Sequence, residues 1–255
     1  MPLPRAALSG RLGRFAPSQR SLAVGLGLVA LAVGGYAALR ASSAFAVTHI
    51  EVTGARPAVR AQVRQAAAFL RGTSLLALDA GALERRVEAL PTVVSVRYDR
   101  AFPHTLRIAV VPERPTAVVH RGRELWLVSA RGRVITHLRR GAEAGLPRIW
   151  VPTTTAVSVG AVLPPAHGLV AAEALALAAR FPARVRTASF VRGELTFSLR
   201  SGLELRLGAP TDLRLKLAIA RRALAVAPAG TTYLDVSLPQ RPVAGSANPQ
   251  VSTGG

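Results

Sequence analysis

Residues 102–115 read FPHTLRIAVVPERP, and apolar side chains alternate with polar or small ones from 105 to 110. That period of two predicts a β-strand with one apolar face. Pro103 precedes the strand and suits a turn, whereas Pro112 and Pro115 lack the N–H that a sheet ladder requires. The segment therefore predicts a turn and then a strand that ends, or lies at a sheet edge, near its final prolines.

The residues before this strand predict the order strand, helix, helix, strand, strand. Pro57 can occupy the first turn of a helix, where its missing N–H is not needed, and Asp79 is a suitable N-cap for a second helix. Apolar residues then recur at helical spacing until Gly72 and Pro91 end the two runs. The predicted strands cover 45–52, 93–100 and 105–111, and both helices lie between the first strand and the second.

Three motifs in this region resemble the POTRA domain of the FtsQ/DivIB family of bacterial cell division proteins. Residues 50–54 fit the pattern I-x-V-x-G, and residues 90–96 approximate L-P-x-V-x-x-V-x-V. Residues 102–115 are similar to F-P-x-T-L-x-I-x-V-x-E-R-x-P, the most specific of the three. The resemblance implies a POTRA domain over 45–115, a module that binds protein segments, often by adding a strand to an exposed sheet edge.

Pro103, Glu113 and Arg114 are the candidate functional residues of this motif. One interpretation places them against a partner protein. The alternative is structural, since Pro103 can shape the hairpin turn, and Glu113 with Arg114 can be a solvated pair at the end of a strand. The sequence leaves both interpretations open.

The residues that follow predict a second domain over 116–240, with mixed or antiparallel strands and two helices. Strands over 124–129 and 133–137 would form a hairpin whose Gly132 can take a positive φ. The family carries W-x-L-V-D-x-x-G-x-V here, and Ser129 stands in place of the usual Asp. The other predicted elements are a short strand at 146–149, a helix over 168–181, an antiparallel meander over 185–191, 194–200 and 203–207, a helix after Thr211 and Asp212, and a last strand over 233–238. Residues 241–255 are rich in Pro, Gly and Ser, and we expect a disordered tail there.

Residues 21–39 contain no charge and would span roughly 28 Å as a helix, close to the hydrocarbon thickness of a bilayer. Residues 1–20 hold arginines and no acid, so the positive-inside rule places this basic tail in the cytoplasm and the body outside the cell membrane. A cleaved signal peptide is the alternative, because Ala44, Phe45 and Ala46 resemble a cleavage site. We favour an uncleaved, single-pass type II anchor, since the apolar run is long and cleavage would fall within the first predicted strand.

The formal net charge is +20, and Lys216 is the only lysine among the 33 basic residues. This arginine excess can reflect genomic base composition or anionic partners. A nucleic-acid partner is disfavoured, because the few aromatic residues are not interleaved with arginine and no recognition motif occurs. An anionic lipid surface or wall polymer is the easier target for scattered positive charge.

No catalytic or metal-binding pattern stands out in the sequence. Cysteine is absent, which excludes thiol nucleophiles, disulfides and cysteine zinc sites. The five histidines do not fall at metal-ligand spacing, and neither a nucleophile elbow nor a phosphate-binding glycine loop occurs. We therefore expect no enzymatic activity, no cofactor, no metal and no small-molecule substrate.

The resemblance implies an assembly role in the bacterial division machinery, bridging early and late division proteins at the septum. Its implied partners are FtsB/DivIC-like and FtsL-like proteins, with other divisome components. A partner strand would pair with the free edge of the last strand, whose residues are Tyr233, Leu234, Asp235, Val236, Ser237 and Leu238. The family's partner-contacting aromatic residue maps to Leu238. This chain departs from the family there, so the resemblance does not define the contact at that position. The structural alternative is that Leu234 and Val236 face the core.

Two other functions fit parts of the sequence. A secretion or envelope-assembly adaptor also uses POTRA modules, although such proteins carry many copies or a C-terminal barrel. An envelope module that binds anionic polymers or lipids would account for the arginine excess, and its binding would weaken as salt is added.

Overall fold

The computed structural model describes residues 19–139, 141 and 145–246. It confirms an α+β protein with one N-terminal apolar helix followed by two sheet-containing units. Helix α1, Gln19–Ala41, is solvent-exposed over its apolar window. Among the described residues, it is the one helix long and apolar enough to cross a membrane. The basic tail expected at 1–20 lies outside the described residues except for its last two positions.

The first unit has the expected order of strand, helix, helix, strand and strand. These elements are β1 His49–Thr53, α2 Pro57–Ala66, α3 Ala80–Glu88, β2 Val93–Ala101 and β3 Thr105–Pro112. The sheet order is β1-β3-β2, with β1 parallel and β2 antiparallel to β3. Both helices contribute fully buried side chains to one core, so the unit has its own hydrophobic centre.

Local contacts explain where these elements begin and end. The N–H of Ala82 donates to Oδ1 of Asp79 at 2.9 Å, which confirms Asp79 as the N-cap of α3. Gly54 follows β1 with φ at 88°, and a Cβ there would overlap the carbonyl oxygen of Val110 on β3. Only glycine satisfies both demands, which gives the final position of the I-x-V-x-G pattern its physical reason.

The second unit contains one nine-stranded mixed sheet and two helices. The strands are β4 Pro115–Arg121, β5 Glu124–Ser129, β6 Val134–Leu138, β7 Arg148–Trp150, β8 Val185–Val191, β9 Glu194–Leu199, β10 Glu204–Gly208, β11 Tyr233–Asp235 and β12 Val243–Gly245, and the helices are α4 Leu169–Leu177 and α5 Leu213–Val226. The sheet order is β12-β11-β10-β9-β8-β7-β4-β5-β6. Helix α4 packs on β4 and β8, and α5 packs on β10 and β11. The core between helices and sheet includes the fully buried Phe197 and Leu205.

Lys216, the only lysine of the chain, is buried in α5. Its ammonium donates to the carbonyl oxygens of Leu207 at 2.9 Å and Ala209 at 2.7 Å. A buried ammonium requires such acceptors, because charge without hydrogen bonds is costly to remove from water. The side chain thereby ties α5 to the end of β10.

Strand β4 is absent from the sequence-based prediction, although it lies inside the sheet between β5 and β7. Its central residues, Ala117 to His120, are all buried, so neither face shows the alternation of a half-exposed strand. Pro115, which the sequence assigns to the end of the preceding strand, is instead the first residue of β4. The first position of a strand tolerates the missing N–H of proline.

The C-terminal strands differ from the prediction. Strand β11 ends at Asp235, whereas the sequence predicts a strand over 233–238. Because β11 lies between β10 and β12, the expectation that the 233–238 segment forms a free edge is wrong. The expectation of disorder over 241–255 is wrong at Val243–Gly245, which form β12. The remainder of that tail, 247–255, lies outside the described residues.

A chain reversal after β11 produces this arrangement. The N–H of Ser237 donates to Oδ1 of Asp235 at 2.8 Å, which is an Asx-type start to a turn. Val236 is fully buried, and its N–H donates to the Arg206 carbonyl at 2.9 Å. The chain then returns antiparallel to β11 as β12. Backbone pairing of this kind needs few apolar side chains, so the polar and small composition of the segment hides it.

Candidate protein-binding site

The two ends of the nine-stranded sheet differ in how their backbone groups are satisfied. At β6, the N–H of Val134 donates to the Ala161 carbonyl, and the N–H of Gly160 donates to the Val134 carbonyl, both at 2.8 Å. A bridge between Arg133 and Val162 continues this cover. Within the described part of the chain, β12 has β11 as its one strand neighbour. The β12 end is therefore an open edge of the kind that templates another strand.

Strand β12 is three residues long, and one aromatic ring holds it in place. Tyr233 of β11 lies opposite Gly245, and a Cβ on Gly245 would come 2.6 Å from the Tyr233 hydroxyl oxygen. Glycine is thus required beneath the ring, as in other sheets where an aromatic side chain covers an edge glycine. The N–H of Thr232 also donates to the Gly245 carbonyl at 2.9 Å. These contacts secure β12 without using its outer side.

Charged residues of β10 support the same ring. The guanidinium carbon of Arg206 lies 5.0 Å from the centroid of the Tyr233 ring, within the range of a cation–π contact. Arg206 Nε donates to Glu204 Oε1 at 2.7 Å. This hydrogen bond, together with the charge of the Glu204 carboxylate, raises the pKa of Arg206 above its ordinary value. Like other arginine side chains, this guanidinium is charged at physiological pH, so the ring faces a cation.

The six residues of the predicted last strand, which are expected to bind a partner, lie in different environments. Leu234 and Val236 are fully buried in the core, as the structural alternative for these two positions holds. Tyr233, Asp235 and Ser237 are half-buried and engaged in the contacts described above, and Leu238, which lies beyond β11, is 63% exposed. The open backbone edge that the prediction sought belongs to β12 instead.

The three candidate residues of the 102–115 motif do not meet in one place. Pro103 lies in the turn between β2 and β3, after a cis peptide bond. Glu113 pairs with Arg131 at 3.1 Å, and its side chain is only 3% exposed. Arg114 is exposed and lines a cleft on the second unit. The solvated-pair interpretation is thus wrong for Glu113, because its carboxylate lies in the junction between the two units.

Arg133 completes this junction from the same β5–β6 hairpin. Its Nη1 donates to the Val93 carbonyl at 3.3 Å and its Nη2 donates to the Glu88 carbonyl at 3.1 Å. The second contact places a cation at the C-terminal end of α3, where the helix dipole favours it. Arg133 is not among the candidate functional residues expected from the sequence. No local signal reveals this role, because the contacts join residues 40 or more positions apart.

The described residues form surfaces on which a segment of another protein can dock. Within them, no group of three or more His, Asp or Glu side chains is placed to hold a metal ion. The backbone edge of β12 can pair with an extended segment, and the clefts of the second unit can receive side chains. Both are features of protein recognition.

Comparison with family models covers both units. The model described as POTRA domain, FtsQ-type, matches residues 45–113. The model described as cell division protein FtsQ/DivIB, C-terminal, matches residues 117–237. The second match ends at the turn before β12, so the strand at the open edge lies beyond it.

Curated proteins of similar sequence are also cell division proteins named FtsQ. The chain is 31% identical over 217 residues to the cell division protein FtsQ of Myxococcus fulvus, covering 80% of this chain and 74% of that protein. It is 32% identical over 117 residues to that of Streptomyces venezuelae, covering 46% and 43%. It is 29% identical over 127 residues to that of Agrobacterium fabrum, covering 48% and 40%. The last two matches thus span less than half of each relative.

Proposed function

Because the chain belongs to the FtsQ/DivIB family of bacterial cell division proteins, we propose that it is a non-enzymatic assembly protein of the division machinery. In this proposal its extracytoplasmic body bridges early and late division proteins at the septum. The partners are FtsB/DivIC-like and FtsL-like proteins. Both family matches support a division role over the secretion-adaptor alternative.

The open edge of β12 is the observation that carries the proposal. At the opposite end of the sheet, a loop pairs with Val134 at the start of β6, whereas β12 has a strand neighbour on one side within the described residues. An extended partner segment would add a tenth strand there. Its main-chain hydrogen bonds would supply affinity, and its alternate side chains would supply specificity.

The single apolar helix supports the membrane part of the proposal. Helix α1 would anchor the protein in the inner membrane with its basic N-terminal side in the cytoplasm. Phe45, next to the possible cleavage site, belongs to the folded first unit. Its carbonyl accepts from the N–H of Leu75 at 2.8 Å, and its ring lies 5.6 Å from that of Phe102. Removing Phe45 would forfeit these contacts, which favours an anchor that is not cleaved.

A pair of proline substitutions tests strand addition. Neighbouring residues of a strand direct their N–H groups to opposite sides, so Val243→Pro and Ala244→Pro remove one donor each from the two sides of β12. The variant that loses the outward donor should bind the partners about tenfold more weakly at unchanged Tm, since about 1.4 kcal/mol corresponds to that factor. The measurement is co-purification of the full chain, in detergent, with the co-expressed FtsB-like and FtsL-like proteins.

Val243→Thr and Ala244→Ser serve as matched controls, because they change the side chains and keep both N–H groups. Both controls should retain the partners at the level of the unmodified chain. Full partner recovery by both proline variants would sink the strand-addition proposal.

A further inference from the structure

We propose that the second unit carries a separate docking cleft for an acidic peptide segment with apolar anchors, contributed by a partner protein. The cleft consists of two adjoining cavities of about 590 and 410 Å³. The cavities share Gly145, Leu146, Val185 and Arg200 in their walls. We call this joint space the basic cleft, and it is independent of the β12 edge.

Five arginines line the basic cleft, and none of the described residues in its lining is acidic. The five are Arg114, Arg148, Arg184, Arg186 and Arg200. Arg200, just after β9, lies beside Arg184, just before β8, since the Arg200 N–H donates to the Arg184 carbonyl at 2.8 Å. Like charges on adjacent chain segments repel each other. A bound anion would remove that repulsion.

Two guanidinium groups of the cleft, those of Arg186 and Arg200, donate to neutral acceptors. Arg186 Nη2 donates to the Ser198 hydroxyl oxygen, and Arg200 Nη2 donates to the Gly145 carbonyl, both at 3.3 Å. Neutral acceptors leave the positive charge available to a carboxylate, with which arginine forms short and geometrically specific hydrogen bonds.

Four of the described arginines outside the cleft form ion pairs with acids. The ion pairs are Arg107 with Glu51, Arg121 with Glu124, Arg131 with Glu113, and Arg206 with Glu204. An arginine excess set by base composition alone would scatter cations over the surface. In the basic cleft, the cations instead collect around one concave and largely apolar floor.

The floor decides the class of occupant. Its apolar residues include Leu146, Leu175, Phe181 and Val185. A flat lipid bilayer cannot reach the bottom of a concave cleft, and an anionic wall polymer has no apolar groups to fill it. A peptide that combines Glu or Asp with Leu or Phe can pair its carboxylates with the arginines of the cleft and pack its apolar side chains on the floor.

Charge-reversal variants with a matched control test the proposal. The cleft variant combines Arg184→Glu with Arg200→Glu, and the control combines Arg221→Glu with Arg222→Glu on the exposed side of α5, which gives the same change in net charge. The full chain is reconstituted in nanodiscs of neutral lipid. The probe is a fluorescent peptide of about 12 residues that alternates Glu with Leu or Phe, and binding is followed by anisotropy.

The cleft variant should bind the peptide at least about tenfold more weakly, because charge pairs at an interface contribute strongly to affinity, and the α5 control should lose less than about twofold. An oligoglutamate of equal length should bind more weakly than the mixed peptide. Equal losses in the two variants, or equal binding of the two peptides, would show that only net charge is being measured and would overturn the proposal.

A third variant adds an acid and keeps every arginine. Ala179 is exposed in the lining of the cleft, so Ala179→Glu places a carboxylate there that competes with the peptide. We expect weaker peptide binding at unchanged Tm, and unchanged peptide affinity would contradict the proposal. Soluble short-chain phosphatidylglycerol serves as competitor. If it binds through Arg184 and Arg200 while the peptide does not, the occupant is a lipid headgroup and the peptide proposal fails.

Discussion

The junction between the two units and the β12 end of the sheet are held in opposite ways. At the junction, a buried carboxylate and two arginines join residues far apart in sequence, and Arg133 reaches two main-chain carbonyls. At β12, three residues rest on one neighbouring strand, with a tyrosine ring over a glycine. The comparison shows a protein that fixes the relative placement of its units by side chains and leaves its exposed edge to weak backbone pairing.

The largest loss of stability should follow a substitution at the junction between the two units. Arg133→Ala leaves the Val93 and Glu88 carbonyls without their donor, and we expect a loss of about 2 kcal/mol in the free energy of unfolding. Chemical denaturation measures this value. Because the chain has no cysteine, spin labels on Arg97→Cys and Arg222→Cys can also report the distance between the units, whose distribution should broaden.

Arg123→Ala is the matched control for that change. It removes an exposed arginine from the neighbouring hairpin turn, whose Arg-Gly-Arg sequence is the same. Its stability should stay within about 0.5 kcal/mol of the unmodified chain. If the distance distribution of Arg133→Ala were as narrow as that of the control, Arg133 would not be fixing the relative placement of the two units.

A smaller effect should follow from the carboxylate of the junction. Glu113→Gln keeps the shape of the side chain and removes its charge, so Arg131 loses the ionic part of its contact. Arg131 is 57% exposed and solvent screens this pair, so we expect a loss of about 1 kcal/mol in the free energy of unfolding. Glu194→Gln, at an exposed position, should change it far less. Equal changes in both variants would mean that Glu113 behaves as an ordinary surface acid.

The smallest effect on global stability should come from the edge. Gly245→Val forces the Tyr233 ring aside and should release β12, yet the loss should stay below about 1 kcal/mol because only a short terminal strand opens. Hydrogen exchange should become faster at the amides of β11, and partner recovery should fall. Ala244→Val is the control, since its side chain points to the other face of β12. Slow exchange in Gly245→Val would show that the edge is more firmly held than its contacts suggest.

Local signals in the sequence predict much of the fold. Asp79 marks the start of α3, and the alternation in β3, β9 and β10 places those strands within one or two residues. The antiparallel meander of β8, β9 and β10 follows from short turns between alternating segments. Each of these features depends on residues that are neighbours in the chain.

Features that depend on distant residues escape the same reasoning. Strand β4 is buried on both faces, so it shows no alternation, and the sequence assigns Pro115 at its start to the end of the preceding strand. Strand β12 follows a segment rich in Pro and Ser, and only its pairing with β11 reveals it. The junction contacts of Arg131 and Arg133 likewise have no local signature. The position of the open edge could not be predicted for the same reason.

The burial of Lys216 has a practical consequence for mapping the contacts of this protein. Since the chain contains no other lysine, amine-directed crosslinkers and biotinylation reagents find no lysine ammonium within reach along the body. A bound partner would go undetected by such reagents even at full occupancy. Reagents that couple to carboxylates, or photoreactive groups introduced near β12 and the basic cleft, suit this surface better.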